Sequence, residues 1–130
     1  MGLLKVEKIK KKFNSFYALS DVSFDIKEGE VHSLVGENGA GKSTLIKIIS
    51  GIYTKTEGKI YRKGKEVEIN SPADSQKLGI GTVHQSFPLV TDLSVMENVL
   101  LGNLPSKGKG IVDWEEAKRI SKDILGRYNL

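Results

Sequence analysis

The chain of 130 residues contains no cysteine. Disulfides and thiolate metal sites are therefore excluded, which agrees with a reducing compartment. No run approaches the roughly 18 consecutive apolar residues a membrane span requires. The N-terminal Met1-Gly2-Leu3-Leu4-Lys5 has neither a long apolar core nor a small-residue cleavage site, so no secretory signal is read there. Hydrophobic content of 38% is low but workable for a core, and the length suits one domain or part of one.

Net charge is only +4, with one local cluster at Lys8, Lys10, Lys11 and Lys12. Without interleaved aromatics for stacking bases, this cluster reads as lysines guarding a solvated strand edge, and no nucleic-acid partner is expected.

Against this plain background one stretch is specific. Gly36-Glu37-Asn38-Gly39-Ala40-Gly41-Lys42-Ser43-Thr44 fits the phosphate-binding pattern G-x-x-x-x-G-K-S/T. By chance the fixed positions match in roughly one chain of this length in a few hundred. Upstream, Val31-His32-Ser33-Leu34-Val35 reads as a short buried strand. Downstream, Leu45 to Ser50 reads as a helix that Gly51 can end. Gly39 and Gly41 let the backbone bend so that successive N–H groups point inward at a helix N-terminus, where an anion is favoured. Lys42 supplies a point charge for the β- and γ-phosphates, Ser43 a hydroxyl for Mg²⁺, and Thr44 a donor for an α-phosphate oxygen. An ordinary glycine turn before a helix is the bland alternative.

Around it, Leu4-Lys5-Val6-Glu7 alternates as a half-buried strand, and Phe13, Phe16 and Tyr17 follow in a polar stretch. Val22, Phe24 and Ile26 form one apolar face of a second strand. Lys59–Arg62 and Lys65–Ile69 read as a hairpin closed by Lys63-Gly64, of open turn type. Ser71-Pro72 opens a helix that Gly79 closes, and Ile80–His84 reads as another buried strand. Ser94 to Glu97 is a capping box, and Asp113 to Glu116 reads as a second. Asn103 to Gly110 reads as a mobile loop. The last helix places Trp114, Ala117, Ile120, Ile124 and Tyr128 on one face, with Gly126 weakening its final turn. The expected architecture is α/β: an antiparallel section beside the start of a parallel, helix-covered core.

Together with three further stretches, the phosphate loop resembles the ATP-binding-cassette (ABC) ATPases, a P-loop NTPase fold. The first is Lys11-Lys12-Phe13. The resemblance makes Phe13, 23 residues before Gly36, the aromatic that stacks on adenine; a core position is the bland alternative. The second is His84-Gln85, matching the glutamine loop, where the Gln85 amide reaches Mg²⁺ and the attacking water. The third is Leu93 to Val99. In importers of the family, residues 86–93 face a coupling helix of the transmembrane permease. Phe87, Pro88 and Leu89 are apolar enough to dock there or to be buried within the chain.

Glu30-Val31-His32, Glu37-Asn38-Gly39-Ala40, Ser71-Pro72-Ala73-Asp74, Val83-His84-Gln85 and Asp113-Trp114 resemble the importers of monosaccharides such as ribose, xylose or galactose. Nucleoside importers share most of this text, and Asp113-Trp114 tips the balance to sugars. The resemblance implies ATP and Mg²⁺ as cofactors and a cytoplasmic place on the inner face of the membrane. The implied partners are permease subunits, a second cassette and, indirectly, a sugar-binding protein. It implies Gly36 to Thr44, Phe13 and Gln85 as nucleotide contacts, Lys42 and Gln85 as catalytic, and Ser43 and Gln85 at the metal.

The signature motif Leu-Ser-Gly-Gly-Gln, the second Walker strand with its catalytic glutamate, and the switch histidine of the family are not in the 130 residues. Residues 1–130 are therefore expected to be the N-terminal part of one cassette, binding nucleotide without turning it over and prone to self-association. A soluble cassette acting on ribosomes or DNA lacks the need for an apolar docking patch. A small-molecule kinase needs arginines near the γ-phosphate, whereas the only arginines are Arg62, Arg119 and Arg127.

Overall fold

The computed structural model describes residues 2–83 and 89–130, which fall into two compact units divided after Val83. In the first, β1 (Leu4–Phe13) and β2 (Phe16–Ile26) form a long hairpin, followed by α1 (Lys42–Ile49), a second hairpin of β3 (Glu57–Arg62) and β4 (Lys65–Val67), and α2 (Pro72–Lys77). The sheet is antiparallel in the order β2-β1-β3-β4.

The alternation in β1 is interrupted by a bulge. The register slips between Val6 and Ile9, and Lys8, at φ 49°, is the displaced residue. Without the slip, Val6 and Ile9 would point to opposite faces; with it, both are fully buried. Gly58 on β3 faces this bulge, and a Cβ there would lie 2.5 Å from the Lys8 carbonyl oxygen. Leu45 and Ile48 of α1 pack onto Val6, Ile9, Leu19 and Ile60 to form the core. The buried Ser75 hydroxyl donates to the Ile49 carbonyl at 2.9 Å and ties α2 to the end of α1.

Several expectations are met. Ser71 caps α2 with Pro72 at its first position, and Gly79 follows at φ 76°. Lys63 and Gly64 both take positive φ, 49° and 77°, which identifies a type I′ turn. Others are overturned. Residues 31–35 form no strand, and Val31 and Val35 are 95% and 90% exposed. Residues 80–83 are likewise irregular, with Val83 97% exposed; His84 lies outside the described residues. A parallel strand is held by ladder partners on its edges, and none of the described strands pairs with either segment. The lysine cluster is not on an edge either: β1 lies inside the sheet between β2 and β3. Its lysines face outward, Lys10 bonding Glu57 at 3.0 Å and Lys11 bonding the Thr54 carbonyl at 2.7 Å.

The second unit contains α3 (Val95–Val99) and α4 (Trp114–Arg127), with Leu100, Ala117 and Ser121 buried. The capping box at Ser94 is complete. The one expected at Asp113 is half formed: Asp113 accepts from the Glu116 N–H at 3.2 Å, but the Glu116 carboxylate turns away to Arg119. The expected apolar face of α4 is buried only at its centre, since Trp114 and Tyr128 at its ends are largely exposed. Ser106, within the expected loop at residues 103–110, forms an isolated antiparallel bridge with Val112 just beyond it. Among the described residues no helix is long and apolar enough to cross a membrane.

Candidate functional site

The phosphate-loop residues lie between β2 and α1. A tight turn is closed by the Ala40 N–H donating to the Glu37 carbonyl at 3.2 Å. Gly39 and Gly41 take φ of 87° and 90°. Gly41 is the N-cap of α1 and offers no side-chain acceptor, so the N–H groups of Lys42, Ser43 and Thr44 at the helix start are left to an incoming anion. Its carbonyl accepts the first helical bond, from Leu45, at 2.9 Å. The loop is seated directly on β2: a Cβ on Gly41 would lie 2.5 Å from the Ala18 carbonyl oxygen and 2.6 Å from Leu19 Cδ2. Gly41 is therefore required twice, for its dihedral angle and for the close approach.

Lys42 curls back over the loop. Its Nζ donates to the Gly36 carbonyl at 2.5 Å and to the Glu37 carbonyl at 2.6 Å. The ammonium is thus held where the loop amides and the helix dipole also concentrate positive potential. Ser43 is exposed beside it and Thr44 is half-buried.

The cleft over the loop holds about 360 Å³ and is lined by Phe13, Phe16, Ala18, Asn38, Gly39 and Gly41 to Thr44. Phe13 is 38% exposed and lines this cleft. It packs edge-on against Tyr53 with ring centroids 5.3 Å apart, and Lys11 Nζ lies 5.0 Å from its ring centre. Phe16 and Ala18 were not singled out as contacts by sequence. The available signal was the spacing of Phe13 and Phe16 around Asn14-Ser15, a two-residue hairpin loop.

Gln85, Ser86, Phe87 and Pro88 lie outside the described residues, and with them the glutamine and the first three of the eight residues of the expected permease-facing stretch. The remainder, within the second unit, lines an apolar groove of about 630 Å³ formed by Leu89, Val90, Thr91, Leu93, Val95, Asn98 and Val99. Asn98 holds this segment in shape: its Nδ2 donates to the carbonyls of Val90, Leu93 and Ser94, and its Oδ1 accepts from the Val90 N–H at 2.9 Å. No sequence pattern marked Asn98 for this task. Nearby, the Ser94 hydroxyl and N–H, at 2.6 and 2.9 Å, hold the Glu97 carboxyl below its ordinary range.

Among the described residues no cluster of three or more histidine, cysteine, aspartate or glutamate side chains could hold a metal ion. A Mg²⁺ at this loop would take phosphate oxygens and water as most of its ligands, which is how this ion is commonly bound. The exposed Ser43 hydroxyl fits that arrangement as a protein ligand.

The arginines are engaged elsewhere. Arg62 donates to the carbonyls of Leu78 and Leu3, both at 2.9 Å. Arg119 and Arg127 pair with Glu116 and Asp123 within the second unit.

Comparison with known proteins gives a consistent result. A family model described as ABC transporter matches residues 19–130. The chain is 50% identical over 128 residues to the ribose import ATP-binding protein RbsA 2 of Streptomyces coelicolor, covering 98% of this chain and 25% of that protein. It is 45% identical over 122 residues to the nucleoside import ATP-binding protein NupA of Lactococcus lactis subsp. cremoris, covering 94% of this chain and 24% of that one. Among solved structures, a nucleotide-free ATP-binding cassette from an ABC transporter matches with a TM-score of 0.80 at 32% identity, over 97% of this chain and 53% of that chain. The chain thus spans about a quarter of the length of the curated relatives it matches.

Proposed function

This chain belongs to the ABC transporter family, and from that premise we propose that it is the nucleotide-binding, N-terminal part of a cassette that powers sugar import. The observation that carries this reading is the meeting of Phe13 with Asn38, Gly39 and Gly41 to Thr44 in one cleft. An aromatic wall beside a ring of backbone amides suits a ligand that is flat and apolar at one end and polyanionic at the other.

In the proposed complex the N–H groups of residues 42–44 bind phosphate oxygens. Lys42 turns from the carbonyls of Gly36 and Glu37 to the β- and γ-phosphates. Ser43 and Gln85 would hold the Mg²⁺, which neutralises charge developing on the phosphates. Gln85 would also orient water, and Phe13 stacks on the base. Hydrolysis belongs to a pair of cassettes in the whole protein, and ATP binding draws them together to move permease helices. The exposed apolar groove at residues 89–99 supports the permease as partner. A sugar-binding protein is an indirect partner, and the assembly works on the inner face of the membrane. Sugar is favoured over nucleoside by Asp113-Trp114, and uptake of labelled ribose and uridine by the intact transporter separates the two. A kinase reading has no support in the first unit, where its one arginine is committed to backbone carbonyls.

Calorimetry with MgATP on the 130-residue chain tests the binding role. Lys42→Met removes one charge-assisted contact, so affinity is expected to fall about 10- to 100-fold, with no phosphate released by either form. Absence of ATP binding by the unmodified chain would overturn the reading, and Mg²⁺-dependent turnover would overturn its claim that this segment lacks catalytic parts.

A further inference from the structure

Resting on that reading, we propose that Phe16 is a second base-contacting side chain, which widens the nucleobase platform from one ring to two and favours purines over pyrimidines. Phe13 and Phe16 are directly opposed partners across the β1–β2 hairpin. Opposed residues in an antiparallel pair project from the same face of the sheet, with Cβ atoms about 5 Å apart. Both line the cleft over the phosphate loop. The next pair, Lys12 and Tyr17, projects from the other face, where Lys12 Nζ lies 5.3 Å from the Tyr17 ring centre. The hairpin tip therefore sorts its three aromatics, two toward the cleft and one away.

The two cleft aromatics differ in support. Phe13 is backed by Tyr53 and Lys11, neither of which lines the cleft. Phe16 is 68% exposed, so core packing does not account for it. A large apolar ring in water beside a polyanion-binding loop gains most by covering the apolar part of the same ligand. A fused two-ring base can reach both side chains, while a single-ring base on Phe13 leaves Phe16 largely uncovered.

Titration of the intact protein with MgATP, MgCTP and inorganic tripolyphosphate tests this. Phe16→Ala is expected to weaken ATP about five- to tenfold, the value of one base–aromatic contact, to weaken CTP less, and to leave tripolyphosphate unchanged. Phe16→Tyr should retain ATP affinity, and Tyr17→Ala should alter none of the three. If Phe16→Ala leaves ATP binding unchanged, or weakens ATP and tripolyphosphate equally, the inference is overturned while the phosphate site stands. If the unmodified protein binds neither ATP nor tripolyphosphate, the phosphate site falls and takes this inference with it.

Discussion

Gly39 and Gly41 both occupy the left-handed region, yet their surroundings differ. A Cβ at Gly39 meets nothing within 4 Å, whereas one at Gly41 collides with the Ala18 carbonyl. Gly39→Ala therefore carries only dihedral strain, about 1 kcal/mol, while Gly41→Ala adds displacement of β2 and is expected to cost about 2–4 kcal/mol. Thermal melts of the two variants check this; equal losses would refute the seating of the loop on β2. Residues 36–44 were legible in the sequence because each fixed position of the pattern, Gly36, Gly41, Lys42 and Ser43, answers to one chemical demand. Ala18, Phe16 and Tyr53 were not. Their roles arise from hairpin register and from where α1 ends, and neither is written in their immediate neighbours.

Among elements, caps were read more faithfully than strands. Ser94 and Glu97 satisfy each other and the start of α3 entirely within four consecutive residues. Asp113 misled because its expected partner Glu116 found Arg119 one turn on, a competition the motif does not encode. Residues 31–35 misled for another reason: an apolar run records propensity, but a strand exists only with a neighbour to bond. The cap at α3 yields a prediction. The Glu97 carboxyl is held below its ordinary value, first by the Ser94 hydroxyl and then by the Ser94 N–H. A depressed carboxylate contributes stability above its unfolded pKa and loses it as pH falls through the folded one. The Ser94 amide resonance should therefore titrate with a midpoint below that of an ordinary glutamate. Ser94→Ala should raise that midpoint and lower the local stability of α3, read by hydrogen exchange at Leu100. A midpoint unchanged by Ser94→Ala would refute the assigned cause.

At the scale of the whole molecule, the chain exposes apolar segments on either side of its phosphate site in sequence. Val31, Val35 and Val83 are each at least 90% exposed, in backbone that no described strand pairs. Unpaired, apolar backbone of this kind is a template for another chain. The solved cassette that matches this fold is nearly twice as long, and we propose that its remaining half corresponds to what would cover these segments in the whole protein. The 130-residue chain alone is then expected to self-associate as its concentration rises through the micromolar range and to bind a hydrophobic dye. Replacing Val31, Val35 and Val83 together by threonine should suppress association while leaving the sheet intact, because none of the three belongs to the core around Ile9 and Ile48. Sedimentation of both forms decides the matter: a monomer at every concentration in the unmodified chain would mean that these segments find partners within it.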